Sequence, residues 1–108
     1  MVDEDRISDL RHEIGEEDLA IVLGMFLSEA QRMIDAIATG LSDDAHARAT
    51  HFLRSGALNI GFVAFAAAAD HAAAAAETAR AATAPRLSEI LTASAASLSL
   101  RMHAGHPG

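Results

Sequence analysis

The chain has 108 residues, 51% of them hydrophobic, which suits one domain with a modest core. Its formal charge of −7 argues against nucleic acid as the main partner and against docking on anionic membranes, because both need a basic surface. The lack of cysteine excludes disulfides, thiolate metal ligands and thiol nucleophiles, and fits a reducing compartment.

Taken in order, the opening residues MVDEDR are acidic and lack the positive-then-apolar order of a signal peptide. Residues 1–5 are polar enough to predict a frayed start. Ile7, Leu10 and Ile14 recur at helical spacing and predict a short first helix that stops at Gly15. From Glu16 a sustained stripe (Leu19, Val22, Leu23, Phe26, Leu27, Ala30, Met33, Ile34, Ile37) predicts a long helix closed by Gly40. Glu16, Glu17 and Asp18 lie in its first turn, where negative charge suits the macrodipole.

Ser42 is placed as an N-cap, with Asp43 and Asp44 behind it, for a third helix that fades between Asn59 and Gly61. On a helical wheel Asp44, Ala47, Arg48, His51, Arg54, Ser55 and Leu58 share one face. Ala45, Ala49, Phe52, Leu53, Gly56 and Ile60 collect on the other, which reads as the core face. Alanine then dominates from Ala64 to Ala84, predicting a fourth helix over about Phe62 to Ala82. Pro85 opens a last helix carrying Leu87, Ile90, Leu91, Ala95 and Leu98, with Met102 at its far end. No segment alternates as a strand does, and no apolar run is long enough for a bilayer. The expectation is a soluble cytoplasmic, all-α protein: an antiparallel four-helix bundle with a short extra N-terminal helix, its core over about 7–101 and a flexible tail over 102–108.

The chemistry narrows by elimination. Gly-rich phosphate loops, GxSxG, GxGxxG and HExxH are all missing, so no ATP site or hydrolase device is expected. No Glu-x-x-His pair suggests a di-iron centre; Asp9 and His12 give the nearest imitation. What remains is His51 on the outward face of its helix, with Arg54 and Ser55 three and four residues on. An exposed neutral imidazole is a nucleophile near neutral pH and can carry a phosphoryl group as phosphohistidine. That chemistry needs exposure, orientation and some positive charge for the phosphate oxygens. Arg54 is the candidate for the charge, and Ser55 for a hydrogen bond to the phosphate or to the ring. The other five histidines read as surface or core residues.

The stretch HFLRSGALNIG resembles the signature of histidine-containing phosphotransfer (HPt) domains, H-x-L-K-G-S-x-x-x-[LI]-G. His51 falls on the phospho-accepting histidine, Leu53 on the leucine, Arg54 on the basic position, and Ile60 and Gly61 on the closing pair. Upstream, EEDLAIVLGMFLSEAQRMIDAI is similar to the family's first long helix, with Phe26 and Leu27 as its Phe-Leu pair. The resemblance covers about residues 7 to 101. Two positions depart from it: Arg54 replaces the usual lysine, and the family's Gly-Ser order is inverted as Ser55-Gly56.

The resemblance implies a phosphorelay intermediate. His51 takes a phosphoryl group from a sensor histidine kinase or a receiver-domain aspartate and passes it to a response-regulator receiver domain. Mg²⁺ belongs to the receiver in that family, so the chain itself needs no cofactor and has no kinase activity. Stand-alone members are mostly monomers, and their docking surface surrounds the histidine, here pointing to Ala47, Leu58 and parts of residues 16–26. The competing expectation is an HPt-like interaction module that binds a receiver or kinase without carrying phosphate, which the Ser55-Gly56 inversion favours.

Overall fold

The computed structural model describes residues 2–104. Four α-helices occur among them, and no strand: α1 (Glu4–Thr39), α2 (Asp43–Asn59), α3 (Val63–Ala74) and α4 (Ala84–Ala104). Two short 3₁₀ turns, Glu77–Ala79 and Ala81–Thr83, join α3 to α4. The molecule is elongated, 50 × 20 × 19 Å. None of the described helices is long and apolar enough to cross a membrane.

The chain start is held where the sequence predicts fraying. Asp3 caps α1, its side chain accepting from the Arg6 amide at 3.2 Å. The Asp3 amide in turn donates to the Gly61 carbonyl at 2.6 Å, and Val2 is buried. Arg6 adds a second tie, its Nε donating to the Asn59 carbonyl at 2.8 Å. These long-range bonds join the start of α1 to the end of α2, which no local polarity signal reveals. Gly61 makes the junction possible: at φ +80° it occupies the left-handed region, and a Cβ there would lie 2.9 Å from the Asp3 carbonyl oxygen.

The helical span of α1 is broken at Gly15, whose backbone is not helical (φ 82°, ψ 164°), at the position where the sequence predicts the first helix to stop. Glycine is the residue that adopts this conformation without strain. Gly40 ends α1 as expected, and the Ser42 side chain accepts from the Ala45 amide at the start of α2.

The alanine-rich segment departs most from expectation. Its helix stops at Ala74 instead of continuing to Ala82, and Ala75 and Ala76 are extended (ψ 141° and 150°). Two tertiary bonds and one local bond in the turn account for the stop. Buried His46 of α2 donates from Nε2 to the Ala72 carbonyl at 2.9 Å, capping the end of α3. Arg80 is held by Asp43 at 2.7 Å, and the Thr83 hydroxyl donates to the Arg80 carbonyl at 2.6 Å. Alanine's helix preference amounts to only about half a kcal/mol per residue over most alternatives, so such contacts override it. Helix α4 begins one residue before Pro85 and continues through Ala104, so residues 102–104 belong to a helix and not to a tail. Leu, Arg, Met and Ala sustain helix well, and this extends the element. The rest of the predicted tail, 105–108, lies outside the described residues.

The core is one cluster fed by all four helices. Leu19, Ile34 and Ile37 of α1, Leu53 of α2, Phe65 of α3, and Leu87 and Leu98 of α4 are each at least 98% buried. Phe62, just before α3, is fully buried too. Ala69 and Ala72 are fully buried where α3 lies against α2, the most extensive helix pairing in the molecule. Small side chains permit that close approach, and it fixes which residues of α3 meet the outward face of α2.

Candidate functional site

The wheel drawn from sequence matches α2 closely. Asp44, Ala47, Arg48, His51, Arg54, Ser55 and Leu58 are all exposed, while Ala49, Leu53 and Ala57 are buried. The internal face has one exception. Phe52 is 36% exposed, lying over Phe26 of α1 with ring centroids 6.1 Å apart and planes 27° apart. Two polar residues replace it inside: His46 and Thr50 are buried, and the Thr50 hydroxyl donates to the His46 carbonyl at 3.0 Å.

His51 therefore stands on a rigid platform. One side of α2 is anchored in the core through Leu53 and Ala57, and the imidazole projects from the other. Ser55 Oγ lies 3.4 Å from His51 Nε2. The hydroxyl donates when the ring proton sits on Nδ1 and accepts when it sits on Nε2, so Ser55 accommodates either tautomer and acts on the ring's orientation. At 3.4 Å this is a long bond, readily exchanged for another partner.

Arg54 is brought alongside but is not free. Its Nε donates to Asp70 Oδ1 of α3 at 2.9 Å, with the two side chains 47% and 59% exposed. An ion pair this open contributes about 0.2–1 kcal/mol, so it is easily rearranged. A second pair, Arg80 with Asp43, closes the same open groove of about 250 Å³. Ala47, Thr50, His51 and Ala73 complete its walls, with His46 at the base. The groove thus holds two cations, each matched by a carboxylate, around the imidazole.

Asp43, Asp70 and Arg80 are site residues that sequence reasoning missed. Asp70 offered one signal: it and His71 are the only polar residues in the alanine helix VAFAAAADHAAA. Nothing local marked Asp43 beyond its place in the first turn of α2. Among the described residues, no group of three or more His, Asp or Glu stands close enough to hold a metal ion.

The inverted Ser55-Gly56 pair has a packing basis. A Cβ on Gly56 would lie 2.7 Å from Phe26 Cδ1 and closer still to Cε1. Phe26 is confined by Phe52, Phe62 and Phe65, with ring centroids between 6.1 and 6.5 Å. Glycine is required at 56 so that α2 can close on this ring, whereas position 55 faces solvent and tolerates a side chain. Exposed Ile21, Val22 and Met25 of α1 and Leu58 of α2 add apolar surface outside the core. Val22 shares a groove with Phe26 and Gly56. Compared with known proteins, the chain matches no family model, no curated protein and no solved structure.

Proposed function

We propose that this chain is a histidine phosphotransfer protein of the HPt type, working in the cytoplasm between a sensor histidine kinase or receiver-domain aspartate and a response-regulator receiver. One observation carries the reading: His51 is exposed on a core-anchored helix, with Ser55 Oγ 3.4 Å from its Nε2 and the Arg54 guanidinium one turn away. In the forward step an imidazole nitrogen attacks the phosphorus of an aspartyl phosphate. An N–P bond forms, the P–O bond to the aspartate breaks, and the carboxylate leaves with the electron pair. Onward transfer reverses this at the next receiver. Exposure admits the large partner, and Arg54 supplies charge to the phosphoryl oxygens. Mg²⁺ enters with the receiver.

On this reading the helices form an antiparallel four-helix bundle with the segment before Gly15 as a short extra helix. The exposed Ile21, Val22, Met25 and Leu58, together with Phe52, supply apolar surface for a receiver.

The test is incubation of the full chain with a panel of receiver domains charged by acetyl phosphate, followed by intact mass. The expected result is a gain of one acid-labile phosphoryl group, absent in His51→Gln. A gain that survives acid, or one retained in His51→Gln, overturns the assignment. A second reading, a module that binds receivers without carrying phosphate, is favoured by the Asp70 carboxylate already paired with Arg54. Stable receiver complexes with no transfer select it.

A further inference from the structure

Asp70 is the sole carboxylate of α3, a helix otherwise almost entirely alanine, and it lies across the groove from the face that carries His51. Its partner Arg54 is a cation one helical turn after that histidine, as exposed Arg48 is one turn before it. Arg80, the other cation of the groove, is likewise engaged, by Asp43 at 2.7 Å. With two arginines matched by two aspartates, the charges lining the groove are balanced, and the imidazole's recorded partner is the neutral Ser55 hydroxyl. A phosphoryl group brings between one and two negative charges with it. Where it draws on Arg54 or Arg80, it must share that arginine with a carboxylate already in place.

Resting on the phosphotransfer reading above, we propose that Asp70 is a positioning residue that sets how tightly His51 holds its phosphoryl group. Asp70 keeps Arg54 occupied in the unloaded state and competes with the phosphoryl oxygens for it in the loaded one. The loaded state is thereby raised relative to a site with an unopposed arginine, and onward transfer is favoured. Asp70 makes and breaks no covalent bond. During transfer the N–P bond breaks, the receiver carboxylate forms the P–O bond, and the imidazole recovers its lone pair while Arg54 returns to Asp70.

The weakness of the pair is part of the device. Both partners are about half exposed, so Arg54 can exchange between them without disturbing the fold. Exposure also makes the effect sensitive to ionic strength, because charges in open solvent are screened within about 10 Å at 0.1 M salt.

The experiment brings full-length wild type, Asp70→Asn, Asp70→Glu and Asp70→Asn with Arg54→Gln to equilibrium with one phosphorylated receiver. Phosphohistidine occupancy is read by intact mass at low and high salt. Asp70→Asn is expected to raise the equilibrium ratio of loaded to free His51 by about three- to tenfold at low salt, as removal of one nearby charge implies. The gain should shrink at high salt, be restored to wild-type values by Asp70→Glu, and fall below about twofold in the Arg54→Gln background. Circular dichroism should be unchanged throughout. Unchanged or lower occupancy in Asp70→Asn, with wild type loading normally, overturns the role of Asp70 alone. If wild type gains no acid-labile phosphate on His51 from any receiver, the phosphotransfer reading falls and this role with it.

Discussion

Gly56→Ala is the most direct probe of how the platform beneath His51 is built. On an exposed helix this change would stabilise by about 1 kcal/mol, since glycine is the poorer helix former. Here the new methyl group enters the space of Phe26, with Cδ1 only 2.7 Å away and Cε1 closer. The ring is 92% buried and bounded by three other phenylalanines, so it can shift only toward the groove it shares with Val22 and Gly56. Overpacking of this kind costs about 1–3 kcal/mol, which outweighs the helix gain at all but its lower limit. The net loss, up to about 2 kcal/mol, should lower the thermal midpoint by up to ~15 °C for a domain of this size. Scanning calorimetry or thermal circular dichroism measures it. Adding Phe26→Leu should make the double variant lose less than the sum of the two single changes, since the leucine vacates the contested space. A Gly56→Ala midpoint equal to or above wild type would refute the argument and remove the reason given for glycine at 56.

Two further changes separate fold from chemistry. His46→Leu deletes the bond that caps α3 at the Ala72 carbonyl and leaves that carbonyl only the Ala75 amide at 3.3 Å. The expected loss is about 1–2 kcal/mol by denaturant titration, with faster amide exchange at Ala75, and unchanged exchange there would refute the cap. Ser55→Gly removes the hydroxyl near His51 Nε2 without touching Phe26; phosphoryl transfer should change in rate by a few fold while stability falls by about 1 kcal/mol or less from the helix cost of glycine.

How much of this was legible in the sequence depends on where each signal resides. The outward face of α2 was readable because charge and apolarity alternate at helical spacing, and all seven residues assigned to it are exposed. The caps at Ser42 and Gly40 were readable because they are local. The end of α3 was not, because a run of alanine carries no facing information and the stop comes from His46 and from the turn that Arg80 and Asp43 hold. The anchoring of Asp3 to Gly61, 58 residues away in sequence, was hidden for the same reason. Arg54 was correctly placed beside His51, but its engagement by Asp70 is a tertiary fact that only the α2–α3 contact creates.

The order Ser55-Gly56 shows how the fold constrains the site. Positions 55 and 56 are adjacent in sequence but face opposite sides of α2, one toward His51 and solvent, the other against Phe26. A glycine at 56 lets α1 and α2 approach around an aromatic cluster, and it leaves the helix's flexible residue on the buried side. The solvent side can then carry a hydroxyl. Exchanging the pair as a block would confound two effects, since serine at 56 would bring its own Cβ into the phenylalanine ring and destabilise the platform. Only the single Ser55→Gly change isolates the chemistry of the histidine's neighbour. The same division explains why His51 can be both exposed and well oriented. The buried side of α2 fixes the helix, and the open side is free to vary in charge and hydrogen bonding, as Asp70 and Ser55 illustrate.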